Sequence, residues 1–175
     1  MAAAEPGSWF LELPTWLIQD GHEEVARGSV ITESVECHVA TWSRCERSTQ
    51  SAEHTGANQY QIRALMLAAP DPYILDLGTL VVGTLGWPRT MGTELPRTGE
   101  SIEAEVSLQL DSFGLQSYVG PRYQTQRRWL VESIDWRPSA AASDEMRSVE
   151  RTEGNSLWSS GSYILGCRDL DGRSD

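Results

Sequence analysis

Two cysteines and two histidines form the densest set of metal-ligand side chains in the sequence. Cys37 and His38 are adjacent, and Cys45 and His54 follow in a Cys-His-x6-Cys-x8-His arrangement. A zinc site needs four converging ligands and usually takes two of them from a close pair such as Cys-x2-Cys. This arrangement lacks such a pair, and the alternation of its neighbours predicts that both thiols face the core while His38 points outward. We therefore predict buried thiols, with no metal and no other cofactor.

Two carboxylates form a second candidate for chemistry. Glu103 and Glu105 are two residues apart on a predicted strand, so they share a face and lie roughly 7 Å apart. Paired carboxylates at this separation can cooperate in glycosyl transfer. The sequence places no strongly apolar pocket beside them that would make one an acid and the other a base. A solvated acidic face is therefore the expected arrangement.

Signatures of nucleophilic catalysis and of phosphate binding are missing. The run Ser159-Ser-Gly-Ser162 is not a Gly-x-Ser-x-Gly motif. Gly78, Gly83 and Gly86 form neither a dinucleotide fingerprint nor a phosphate loop, and we interpret them as turn and bulge positions. We predict no catalytic residue, which makes an enzyme the less favoured class.

The main basic concentration is a short run in which arginine alternates with aromatic residues. The run contains Tyr118, Arg122, Tyr123, Arg127, Arg128 and Trp129. Basic and aromatic side chains on strands are what a groove for single-stranded nucleic acid uses. In an acidic protein, however, such arginines more often pair with the protein's own carboxylates.

Tryptophan is abundant, with seven residues against two phenylalanines. Such rings bury large areas in cores and also anchor interfaces. Trp87 is the candidate for the second role, because Gly86-Trp-Pro-Arg89 lies in a long, turn-rich connection between Gly83 and Gly99. There the ring has less strand framework to pack on, so we expect Trp87 and Arg89 to belong to a binding loop.

The elements that must position these residues are strands. Five apolar side chains alternate with five polar ones from Ile102 to Asp111, which predicts a strand with one face on the core and one in water. Similar patterns predict further strands, which are Trp9 to Leu13, Trp16 to Gln19, Gly28 to Thr32, Val35 to Cys45, Tyr60 to Ala69, Ile74 to Leu85, Tyr123 to Trp136 and Trp158 to Cys167. Turn signals separate them, including Ala69-Pro-Asp-Pro72 and Gly120-Pro121.

This pattern predicts an all-β, mainly antiparallel fold: a β-barrel or a β-sandwich, with a Greek-key barrel of the oligonucleotide-binding type as one form. At 175 residues, one domain spanning 1–175 is expected. At most one short helix is predicted, near 139–152, with a linker as the alternative. The polar loop Arg44 to Asn58 and the segments 1–7, 46–57, 139–156 and 170–175 are expected to be flexible.

The net charge of the chain limits the classes of partner that it is expected to bind. The chain has 25 acidic residues against 14 basic ones, all arginine, for a net charge of −11. A lysine-free composition is typical of a GC-rich, for example bacterial, coding sequence. A negative surface disfavours nucleic acid and anionic membranes, and it steers basic partners. Three cysteines, no basic leader and no long apolar run indicate a cytoplasmic protein with reduced thiols.

Three functions remain open at this level. The first is a non-enzymatic interaction domain, for example an acidic partner of a basic protein. The second is a small-molecule binder or hydrolase with its site in a barrel mouth, lined by tryptophans with Glu103, Glu105 or Arg128 as polar groups. The third is single-stranded nucleic-acid binding through Arg122, Arg127 and Arg128 with their aromatic neighbours. Oligomeric state is not determined by these residues.

Overall fold

A computed structural model of the chain describes residues 7–84, 86–88, 94–111, 114–138, 146–153 and 161–172. Strands make up 58% of the described residues and the helices are short, and within the second of two compact units the strands close into a mixed β-barrel. The prediction of an all-β barrel is thus confirmed. No helix in the described ranges is long and apolar enough to cross a membrane.

The chain divides into two compact units, each assembled from the elements described below, and the expectation of one domain stays a prediction. The strands are β1 Ser8–Pro14, β2 Val30–Cys45, β3 Ser51–Gly56, β4 Gln59–Ala68, β5 Tyr73–Asp76, β6 Val81–Thr84, β7 Ser101–Leu110, β8 Gln126–Pro138, β9 Arg147–Ser148 and β10 Gly161–Asp169. The helices are α1 Thr15–Gln19, α2 Leu115–Val119 and a 3-10 turn, Gly120–Arg122.

Unit 1 comprises residues 1–33 and 127–171. Its strands form an antiparallel sheet in the order β1, β10, β8, β9. Leu11, Leu165 and Ile134 lie in register across three of these strands and are buried, so they form the centre of this unit's core. Burial of such side chains is the main stabilising contribution.

Unit 2 comprises residues 34–126 and 172–175. Here β4 pairs with β5, β5 with β6, β6 with β2, β2 with β7, and β7 again with β4, which closes a ring. The β2–β6 pair is parallel and the others are antiparallel, and β3 extends the sheet beyond β4. Ile62 and Ala104 lie in register on the buried face, so the ring encloses a core of its own.

Most predicted strands are confirmed, but four segments differ. Trp16 to Gln19 lies in helix α1, directly after Pro14, and is not a strand. The run predicted from Ile74 to Leu85 forms two strands, β5 and β6, because Gly78 turns the chain with φ 92° and its N–H donates to the Asp76 carboxylate. Leu85 itself lies outside the described residues. The expected loop Arg44 to Asn58 contains β3. Of the predicted helix near 139–152, residues 139–145 lie outside the described residues, and 147–148 form strand β9.

Candidate binding cleft

The two predicted acids lie on the outer face of β7, opposite the core. Arg63 donates a hydrogen bond to Glu103 at 2.7 Å, and Thr41 donates one to Glu105 at 3.1 Å. Cross-strand partners of this kind are the ordinary state of an exposed sheet face. Neither carboxylate lines the two concavities described below. The expectation of a solvated acidic face agrees with this geometry.

The cysteine and histidine residues do not converge. Cys37 is fully buried, and burial, reinforced by the charge of Glu36, raises the pKa of its thiol to about 12. His54 has its Nε2 2.8 Å from the Ala57 carbonyl oxygen, and its ring packs at a tilted angle against that of Tyr60. Within the described ranges, no three His, Cys, Asp or Glu side chains are close enough to hold a metal ion.

The face of β2 changes at a bulge that the sequence pattern did not indicate. The register with β7 shifts between Val39 and Thr41, so the alternation reverses there. Trp42 therefore lies opposite the buried Ala104, and Cys45 lies opposite Ser101 and is only partly buried. The prediction that Cys45 faces the core together with Cys37 is wrong for this reason.

Trp87 is packed rather than free. Its ring is 8% exposed, and its centroid lies 4.9 Å from that of Tyr73 and 5.5 Å from that of Trp42. Its indole N–H is buried and meets no acceptor among the described residues. The expectation that this ring lacks a packing framework is wrong, because β5 and the bulged β2 supply one. Arg89 lies outside the described residues.

Arg44 fastens the segment 94–100 to β2. Its guanidinium donates to the carboxylate of Glu100 at 3.0 Å and to the carbonyl oxygens of Glu94 and Leu95, and it lies 5.6 Å from the Trp42 ring centroid. The Arg97 backbone N–H, followed by the Arg44 guanidinium, lowers the pKa of Glu100. This segment is therefore held in place by several donors on one carboxylate.

The basic run separates into two groups. Arg127 and Arg128 lie in unit 1, where Arg127 donates to the Asp171 carbonyl oxygen and Arg128 pairs with the Asp171 carboxylate at 2.9 Å. The Arg128 backbone N–H and then its guanidinium lower the pKa of Asp171. Trp129 is fully buried and donates to the Glu33 carbonyl oxygen at 3.0 Å. These three residues thus have partners within their own unit.

The other three members of the run line a cleft in unit 2. Arg122 and Tyr123 lie there with Tyr118, against the turn that follows β4. The cleft has a volume of about 260 Å³, and its lining residues are Ala68, Ala69, Pro70, Asp71, Pro72, Tyr118, Val119, Arg122 and Tyr123. Tyr118 is 63% exposed, and the Arg122 guanidinium lies 5.4 Å from the Tyr123 ring centroid. The cleft therefore combines an apolar wall with an exposed ring and a cation.

Gln116 stabilises the loop of residues 114–126, which carries Tyr118, Arg122 and Tyr123. Its amide oxygen accepts hydrogen bonds from the backbone N–H and hydroxyl of Thr125, at 3.2 and 2.8 Å, and from the N–H of Gln126 at 3.1 Å. Its amide nitrogen donates to the Gly120 carbonyl oxygen at 2.8 Å. An amide that is bonded through both its oxygen and its nitrogen holds the two ends of the loop together, so the cleft wall is preorganised.

Two further contacts attach the loop to strands β6 and β4 of the barrel. The Leu115 N–H is bonded by the Asp111 carboxylate, and the Leu115 side chain is buried over Gly83. A Cβ on Gly83 would lie 2.4 Å from a Leu115 methyl carbon, so only glycine leaves room for this side chain. The Tyr123 hydroxyl donates to the Leu67 carbonyl oxygen at 3.3 Å and ties the loop to β4.

A second, more open groove adjoins the same turn. It measures about 640 Å³ and shares Ala69 and Pro70 with the cleft, while residues 94–98 form its other side. Arg97 and Glu94 in this groove are paired at 3.1 Å, and the Ala69 N–H donates to the Thr98 hydroxyl. Its charged groups are thus already partnered.

Two features are not evident from the sequence. The exposure of Tyr118 depends on the fold of the loop around it, and the pattern of the basic run does not predict it. His22 has no partner that its sequence neighbours identify, but its ring nitrogens lie 2.8 Å from the Glu23 carbonyl oxygen and 3.2 Å from the Glu33 carboxylate. The Glu33 contact raises the pKa of His22, against an opposing effect of burial.

Comparison with known proteins identifies no relative. The chain matches no protein-family model, no curated protein and no solved structure. A function is therefore proposed from the residues and geometry of the cleft.

Proposed function

We propose that the protein is a non-enzymatic interaction domain that binds a short segment of another polypeptide in the cleft between residues 68–72 and 118–123. The observation that carries this proposal is Tyr118, a large ring that is 63% exposed on a loop fixed by Gln116. Exposed aromatic rings on ordered loops are typical anchors of protein interfaces. Because the loop is already ordered, binding forfeits little conformational entropy there.

Charge supports a basic partner. With a net charge of −11, long-range attraction raises the encounter rate with a positively charged protein, and salt weakens this effect. The three cysteines form no disulfide, which agrees with a partner met in the cytoplasm.

The two alternatives draw less support from the same geometry. A small-molecule site or hydrolase would need inward polar groups, whereas Glu103 and Glu105 contact Arg63 and Thr41 on the outer face. The cleft, at about 260 Å³, is also smaller than the roughly 300–1,000 Å³ of small-molecule sites. The adjoining groove reaches about 640 Å³, but Arg97 and Glu94, its charged residues, are already paired with each other. Single-stranded nucleic acid would need several free cations along one groove. Of the three arginines named for that role, Arg128 pairs with the carboxylate of Asp171 and Arg127 donates to the Asp171 carbonyl oxygen, so Arg122 alone has no carboxylate or carbonyl partner among the described residues.

Selection from a random peptide library displayed on phage tests the proposal. Peptides enriched on the wild type are synthesised with a fluorescent label, and their dissociation constants are measured by anisotropy. We expect Tyr118→Ala to weaken binding about 30-fold or more, since truncation of an anchoring ring typically removes at least 2 kcal/mol. Tyr118→Phe should keep most of the affinity, because no described residue bonds the phenol oxygen.

Gln61→Ala is the matched control, because Gln61 is exposed on β4 and its side chain does not line the cleft. Its affinity should equal that of the wild type. If the library yields no binder, or if the enriched peptides bind Tyr118→Ala as tightly as the wild type, the cleft is not the interaction site.

A further inference from the structure

The cleft carries two opposite charges that do not pair. Asp71 and Arg122 both line it, and both are exposed. In the described part of the chain neither belongs to an ion pair, although six other arginines do. Hydrated, unpaired charges on one small cleft are available to a ligand that presents the complementary charges.

Arg122 is placed where it can receive a planar anion. Its guanidinium carbon lies 5.4 Å from the centroid of the Tyr123 ring, and that ring is itself fixed by its hydroxyl bond to the Leu67 carbonyl oxygen. This cation–π contact favours that position of the guanidinium, and because Arg122 is exposed, its N–H groups are open to a ligand. A carboxylate is the planar partner that accepts two such N–H bonds side by side.

The volume limits how much of a ligand enters. About 260 Å³ accommodates little more than one residue, and its wall includes the apolar Pro70, Pro72 and Val119. When the C-terminal residue of a polypeptide is apolar, its side chain and its terminal carboxylate are attached to the same carbon. An internal Asp or Glu offers a carboxylate but no apolar side chain, so a second residue would have to contact the apolar wall of the cleft.

We propose that the cleft captures the C-terminal residue of a partner chain, with the terminal carboxylate on Arg122 and a basic side chain two positions earlier on Asp71. Residues two apart in an extended segment point to the same side, so both charges can face the cleft together. The basic side chain also agrees with the attraction expected from the −11 charge. The inference rests on the proposed function, and it names the part of the partner that binds.

Fluorescence anisotropy with short synthetic peptides tests it. The probe is fluorescein-Gly-Gly-Ser-Arg-Ala-Leu with a free C-terminus, compared with its C-terminal amide and with a peptide in which Gln replaces Arg. The wild type should bind the free acid about tenfold more tightly than the amide, as expected for a charge-assisted, bidentate hydrogen bond. It should also prefer the Arg peptide over the Gln peptide, and high salt should reduce this preference.

Each variant should remove one preference and keep the other. Arg122→Gln should bind acid and amide equally, and Asp71→Asn should bind the Arg and Gln peptides equally. Arg47→Gln, an exposed arginine outside the cleft, should retain both preferences.

The inference is overturned if the wild type fails to bind the free acid at 1 mM, if it binds acid and amide alike, or if Arg122→Gln still discriminates between them. If one of these results is found while library peptides still bind through Tyr118 with residues from the middle of their sequence, the proposed function stands. Only the recognition of the C-terminus then fails. If neither the library nor the series binds, both proposals fail.

Discussion

Replacing Gln116 by alanine should loosen the cleft loop by an amount that its hydrogen bonds define. The substitution removes four bonds, but the Gln126 N–H and the Gly120 carbonyl oxygen are accessible enough to bond water instead. Thr125 is fully buried, and its N–H and hydroxyl keep second contacts with the Tyr123 carbonyl oxygen and the Ser34 hydroxyl. Two bonds at about 0.5–1.5 kcal/mol each are therefore lost, or about 1–3 kcal/mol in total.

Hydrogen exchange measured by mass spectrometry reports this loss where it occurs. If the loop opens locally, amides in 115–126 should exchange about 5- to 150-fold faster in Gln116→Ala, which is the same free energy expressed as an equilibrium constant. Gln116→Glu should also accelerate exchange, because its carboxylate still accepts from Thr125 and Gln126 but places an oxygen without a hydrogen against the Gly120 carbonyl oxygen. Gln61→Ala should leave exchange unchanged. Exchange within twofold of the wild type in Gln116→Ala would refute the role given to this amide.

Three further outcomes follow from single contacts. Because the pKa of His22 is raised, its contact with Glu33 should stabilise the protein fully below about pH 6.5 and lose that effect as pH rises through the folded pKa. The difference in unfolding free energy between wild type and His22→Gln, measured in urea, should therefore shrink towards pH 8. Gly83→Ala should destabilise by about 1–3 kcal/mol in urea unfolding, and the loss should be smaller in a Leu115→Ala background, where the clashing methyl groups are gone. In native protein, Ellman's reagent should titrate Cys45 alone, with the two buried thiols reacting only in denaturant; rapid reaction of all three would contradict their burial.

Strands were predictable wherever one sheet face is buried along a regular ladder. β7 illustrates this, because its alternating residues each keep the face that the pattern assigns from Ser101 to Leu110. β2 shows the limit. Its bulge near Ala40 depends on pairing with β7, and once it forms, every later side chain changes face. Local periodicity carries no information about such a shift.

The cleft was predictable only in pieces. Turn signals at Ala69 to Pro72 and at Gly120-Pro121 marked both of its walls, and Arg122 and Tyr123 were named as binding candidates. Their meeting depends on contacts between residues far apart in sequence, such as the bond from the Tyr123 hydroxyl to Leu67. The exposure of Tyr118 follows from that tertiary arrangement, and composition alone favours burial of an aromatic ring.

Hydrogen exchange of the complete protein, with and without a saturating library-selected peptide, tests the central claim most directly. Binding in the cleft should slow exchange in 68–72 and 114–125 and leave surfaces such as 20–24 unchanged. Protection confined to other segments, with both cleft walls exchanging at the same rate as in the free protein, would contradict the account.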